Sequence, residues 1–64
     1  MPTVRFRSRG ESGNIFFLMS LVAEALNDEE RTGQLWKEIK QGSYDEAIEK
    51  IRRHVNLIDL DGLY

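Results

Sequence analysis

The chain has no cysteine, one histidine and one proline in its 64 residues. Each scarcity removes an option. Without cysteine there is no disulfide to staple so short a chain and no thiolate for catalysis or metal binding. With His54 as the sole histidine, a histidine-based zinc site and a nucleophile–base–orienter set both lack parts. A long apolar run is missing too. The longest apolar stretch, Ile15 to Leu26, is broken by Ser20 and Glu24 and falls short of the roughly 20 residues a membrane helix needs, so it reads as a core or interface helix. The opening residues Met1-Pro2-Thr3-Val4-Arg5-Phe6-Arg7 contain no apolar run of signal-peptide form, which predicts a cytoplasmic chain.

At this length one core is the most that fits, so residues 1–64 form a single small domain. With neither disulfide nor metal to support it, its stability must come from good packing or from association. Charge is unevenly spread. Residues 1–10 carry Arg5, Arg7 and Arg9 with no acid, a charge of +3, and residues 11–64 carry −5. An acidic body with one basic edge argues against broad nonspecific binding of nucleic acid.

Apolar and polar residues alternate from Thr3 to Ser8, the period of a half-buried strand. Turn residues Gly10-Glu11-Ser12-Gly13-Asn14 follow, with Ser12 and Asn14 as candidate N-caps for a helix starting near residues 13–15. That helix, to about Leu26, sets Ile15, Leu18, Met19, Val22 and Leu26 on one stripe; Phe16, Phe17 and Leu21 widen it beyond what a surface helix requires. Asn27-Asp28-Glu29-Glu30 reads as a cap and an acidic first turn, and Leu35, Trp36 and Ile39 as a weaker stripe. Gly33 predicts an irregular first turn, with the firm part of this helix near residues 33–41.

Ser43-Tyr44-Asp45-Glu46 is a capping box after Gly42, and Tyr44, Ala47, Ile48, Ile51 and Val55 share a face of a third helix. Leu57-Ile58-Asp59-Leu60 is a terminal strand whose natural partner is Val4 to Arg7. The expected fold is therefore α+β, a β-α-α-α-β chain with its two terminal strands paired and three helices packed on one side. The alternative is a three-helix bundle with extended ends.

Two features could carry function. Arg5, Arg7 and Arg9, at alternate positions, would line one face of a strand and, with free amides around Ser12, Gly13 and Asn14, would suit a phosphate or carboxylate. The competing reading is that the arginines solubilise an edge strand and the glycines make the turn. Among the aromatics, Phe6, Trp36, Tyr44 and one of Phe16 or Phe17 are expected in the core. The adjacent phenylalanines point roughly 100° apart, which leaves one of them for contact with another chain. His54 beside Arg52 and Arg53 reads as a flanking, solvated residue; Asp59 and Asp61 read as solvation of a chain end rather than as metal ligands.

The stretches Gly10-Glu11-Ser12-Gly13-Asn14-Ile15-Phe16 and Gly42-Ser43-Tyr44-Asp45-Glu46-Ala47-Ile48 resemble those of short uncharacterised proteins encoded by phages and bacterial mobile elements. These share a strand, a Gly-Asn-aromatic helix start and a Tyr-Asp helix start. Gly13, Asn14, Tyr44 and Asp45 match that pattern. Ser12, where the family often has an acid, and Glu46-Ala47-Ile48, where it has His-Leu-Leu, depart from it, so no role carries over to them. The resemblance implies a bacterial cytoplasm and no settled activity.

The combined expectation is a non-enzymatic protein-binding module acting on a host bacterial protein such as a defence or regulatory component. Phe16, Phe17 and Leu21 would form its interface, with self-association through the first helix a further expectation and no cofactor, metal or membrane involved. The alternative is a binder of nucleic acid or a small phosphorylated ligand through Arg5, Arg7, Arg9 and the Gly10–Asn14 helix start.

Overall fold

A computed structural model describes all 64 residues. Strand β1 (Thr3–Phe6) leads through a short 3₁₀ turn (Glu11–Gly13) into helices α1 (Ile15–Leu26), α2 (Glu29–Ile39) and α3 (Tyr44–Arg52), and strand β2 (Asn56–Asp59) follows. This is the expected β-α-α-α-β order with the terminal strands paired; the bundle with extended ends is not what forms.

The strands run parallel, in the register Thr3–Asn56, Val4–Leu57, Arg5–Ile58 and Phe6–Asp59. Parallel pairing follows from the connectivity. Short connections turn the chain back at each element, and an even number of reversals returns β2 in the direction of β1. Val4, Phe6 and Leu57 are buried under the helices, whereas Thr3, Arg5 and Asn56 stand exposed on the other face.

Helix boundaries are set by side chains. The Asn14 side chain accepts the Phe16 amide at 2.9 Å and starts α1, and Asp28 accepts the Arg31 amide at 3.0 Å and starts α2. Helix α2 is regular from Glu29, so the irregular first turn expected from Gly33 does not occur: the Asp28 cap and the acids Glu29 and Glu30 compensate for the glycine. At its other end Lys50 Nζ donates to the Glu38 carbonyl at 2.8 Å, satisfying a group the helix leaves free. The Ser43–Glu46 capping box forms as read, and it depends on Gly42: at φ +127° that position disfavours any L side chain, and a Cβ there would meet the Glu46 carboxylate.

The core is one cluster of 12 residues from every helix and both strands, with Phe6, Leu18, Val22, Leu35, Ile51 and Val55 almost fully removed from water. One expectation about it fails. Neither Phe16 nor Phe17 enters the core, and Trp36 and Tyr44 only pack against its margin. Leu18, Met19 and Val22 fill the available width under α1, so both phenylalanines are displaced to its flanks.

Candidate functional site

The predicted anion site and the predicted protein interface fall on different parts of the molecule. The strand ends at Phe6, so of the three arginines only Arg5 lies on it; Arg7 and Arg9 sit in the following turn. The turn already holds anions, supplied by the chain's own C-terminal segment. Arg7 Nη1 lies 3.3 Å from Asp61 Oδ1, and the Arg9 amide donates to Asp61 Oδ2 at 2.9 Å. The Gly13 and Asn14 amides donate to the Gly10 and Glu11 carbonyls, and Ser12 Oγ accepts the Arg7 amide at 2.7 Å. Ser12 therefore ties the turn to the strand, and Asn14 alone caps α1. Of the three guanidinium groups only that of Arg7 has an ion-pair partner; Arg9 engages Asp61 through its backbone amide alone, and Arg5 has no acidic partner.

Asp59 is the centre of this end of the molecule. Its carboxylate accepts the Ser8 hydroxyl at 2.6 Å and the amides of Ser8, Asp61, Leu63 and Tyr64 at 2.9–3.1 Å. Burial pushes this carboxyl upward, but the Ser8 hydroxyl and the Asp61, Ser8 and Leu63 amides outweigh it and hold the group well below the usual carboxylate range. Asp59 is thus a clasp between β1 and the C-terminal residues rather than a solvated end.

Beside it, the turn that leads into α1 meets the start of α3. Tyr44 Oη donates to the Gly13 carbonyl at 2.5 Å, Tyr64 packs edge-on against Tyr44 with centroids 5.5 Å apart, and Tyr64 Oη donates to Asp45 at 2.5 Å. Burial, and after it the Asp59 charge, pushes the Tyr44 phenol up, which keeps it a donor. A Cβ on Gly13 would lie 2.3 Å from the Ser8 carbonyl oxygen, so no larger residue fits there. Gly13, Asn14, Tyr44 and Asp45 each have a structural task, and together they join the start of α1 to the start of α3.

His54 bridges two side chains of α2: Nδ1 lies 3.3 Å from Arg31 Nη2, and Nε2 lies 3.7 Å from Glu38. With Arg31 donating to Nδ1, the ring proton belongs on Nε2, facing the carboxylate. No three His, Asp or Glu side chains converge into a group that could hold a metal ion, and no helix is long and apolar enough to cross a membrane.

The flanks of α1 are unlike this tied end. Phe16 is 72% exposed and Phe17 44% exposed. By the helical repeat they leave the core on opposite sides. Phe16 stands beside α2, where its ring tilts against Trp36 with centroids 5.7 Å apart. Next to that pair a groove of about 380 Å³ runs between the helices over Ala23, Thr32 and Gly33 to the acids Asp28 and Glu29. Thr32 Oγ1, on its wall, is buried without a hydrogen-bond partner. Phe17 lies on the β1 side with Leu21, which is half-buried and lines a second groove, of about 350 Å³, with Val4, Arg5, Glu24 and Ala25. Of the three interface residues read from the sequence, only Leu21 lines a groove; Phe16 packs against Trp36, which lines the other.

Comparison with protein-family models, curated proteins and solved structures finds no match to this chain. The reading of the site thus rests on its geometry. Sequence reasoning missed three participants. Asp59 was read as a solvated chain end because its Ser8 donors lie some fifty residues away, although the Asp61, Leu63 and Tyr64 amides follow it closely in the chain. Thr32 was not singled out and Gly33 was read only for helix propensity, although a glycine and a small polar residue one turn before Trp36 do mark a dent in a helix surface.

Proposed function

We propose that this chain is a non-enzymatic module that docks on another protein through the exposed flanks of α1. The observation that carries the reading is the exposure of Phe16, 72%, in a chain whose core is complete without it. Ordering so large an apolar ring at the surface, stacked against Trp36 and beside an open groove, gains little in the isolated chain; aromatic anchors next to a dent are what the buried centre of a protein interface contains. The resemblance to phage and mobile-element proteins supplies the setting: a bacterial host protein, such as a defence or regulatory component, is the proposed target.

The test is affinity capture from nuclease-treated bacterial lysate with the wild-type chain and with Phe16→Asp. Position 16 lies in the first turn of α1, where a carboxylate suits the helix dipole, so the variant retains its fold. A stoichiometric protein retained by the wild type and lost from the variant is the expected result. Identical capture by both would remove Phe16 from the interface. Retention of a nucleotide or nucleic acid in place of a protein would transfer the function to the arginine end.

A further inference from the structure

The docking reading leaves open how a partner chain would engage, and the free edge of β1 supplies an answer. The ladder between the strands ends on Asn56 N–H donating to the Pro2 carbonyl and Leu60 N–H donating to the Phe6 carbonyl, both at 2.8 Å. These bonds turn the backbone groups of the even-numbered residues of β1 toward β2. Thr3 and Arg5 therefore present their N–H and C=O groups to the opposite side. The next residue of that parity shows the same direction: the Arg7 amide points outward and is closed by Ser12 Oγ.

The outer edge of β2 is covered at its carbonyls, since Arg52 reaches the Leu57 carbonyl at 3.5 Å and the Gly62 amide donates to the Asp59 carbonyl at 3.1 Å. The Thr3–Arg5 edge has no such cover. No other group of the chain bonds its N–H and C=O groups, and both side chains are exposed.

We propose that this edge accepts an extended segment of a partner protein as an added strand, with acidic residues on the side of Arg5 and apolar residues on the side of α1. The proposal rests on the docking reading and specifies its geometry. Alternation along a strand means that every second side chain of the incoming segment faces the helices. There it meets the groove of about 350 Å³ between β1 and α1, whose apolar lining is Val4, Leu21 and Ala25 and whose polar lining is Thr3, Arg5 and Glu24, with Phe17 one turn before Leu21. The intervening side chains face the bare side of the sheet, where the guanidinium of Arg5 has no acidic partner in its own chain. That free cation selects a carboxylate. It also disfavours pairing of β1 with a second copy of itself, which would bring the two Arg5 side chains together on one face.

The probe is the acetylated, amidated peptide Val-Glu-Val-Glu-Val-Glu, compared with Val-Lys-Val-Lys-Val-Lys, with amide hydrogen exchange of the protein followed residue by residue. The Thr3 and Arg5 amides should exchange freely in the isolated chain and become protected by about tenfold or more with the glutamate peptide at millimolar concentration, while the lysine peptide protects neither. Arg5→Glu, a change at an exposed position, should reverse the preference between the peptides. Arg5→Pro should abolish protection at Thr3 while Phe6 stays protected, because the lost N–H points away from β2. Unchanged exchange at Thr3 and Arg5 with the glutamate peptide would overturn the proposal. So would equal protection by the lysine peptide, or protection without peptide that grows with protein concentration, the signature of a second copy on the edge. Loss of the captured protein with Phe16→Asp but not with Arg5→Pro would leave the docking reading standing and remove strand addition from it.

Discussion

The end of the molecule around Asp59 and the flanks of α1 are built on opposite principles. At the first, nearly every polar group has a partner within the chain: one carboxylate collects five hydrogen bonds, Tyr44 closes on Gly13, and Asp61 collects Arg7 and Arg9. At the second, two phenylalanines stand in water, a threonine hydroxyl is buried without a partner and a strand edge is open. The comparison separates what holds this small fold from what it offers to others. Gly13, Asn14, Tyr44 and Asp45 lie at the tied end, where each serves the fold; the proposed functional surface lies elsewhere.

The sharpest way to break the tied end is Gly13→Ala. Its Cβ would have to displace backbone 2.3 Å away, and crowding of that kind costs about 1–3 kcal/mol or more, a large share of the roughly 3–10 kcal/mol available to a chain of this length. Urea unfolding should show a lower midpoint with an unchanged slope.

Acid should loosen the same end. The Asp59 carboxyl titrates in the folded chain below its unfolded value of about 3.9, so its stabilising contribution is complete above that pH and is lost as the pH falls through the folded value. The thermal midpoint of the wild type should fall on acidification, and Asp59→Asn should begin lower and show a shallower decline. Tyr44→Phe leaves the Gly13 carbonyl without its donor and should cost about 0.5–1.5 kcal/mol by the same urea measurement.

On the open side the expected effects are small or favourable. Gly33 sits in the exposed interior of α2 with nothing within 4 Å of a Cβ, so Gly33→Ala should stabilise the chain by about 0.5–1 kcal/mol. Because a methyl there protrudes into the groove beside Trp36, the same variant should weaken capture of the partner. A destabilising Gly33→Ala would mean that the groove is part of the packed fold.

Much of the architecture was legible in the sequence because it is encoded locally. The alternation of Val4 and Phe6, the Ser43–Glu46 box and the Ala47–Ile48–Ile51 stripe each specify an element without reference to the rest of the chain, whereas Val55, read on the same helix face, lies beyond the end of α3 at Arg52. The pairing of the terminal strands was legible too; their parallel direction was not read from the sequence. What was not legible depends on distant partners. The alternation Arg5, Arg7, Arg9 reads as a continuing strand, but Asp59 and Asp61, some fifty residues later, bend the backbone after Phe6 into a turn. The helical repeat fixes the angle between Phe16 and Phe17 but not which arc of α1 the other elements cover, and here the covered arc excludes both.

The separation of fold from docking is tested most directly by measuring the thermal midpoint and the partner capture of Phe16→Asp on the same protein preparation. The account predicts a midpoint equal to that of the wild type, with a change in stability within about 0.5 kcal/mol, together with loss of the captured protein. A lowered midpoint with capture intact would contradict it, placing Phe16 among the residues that hold the fold and moving the interface elsewhere.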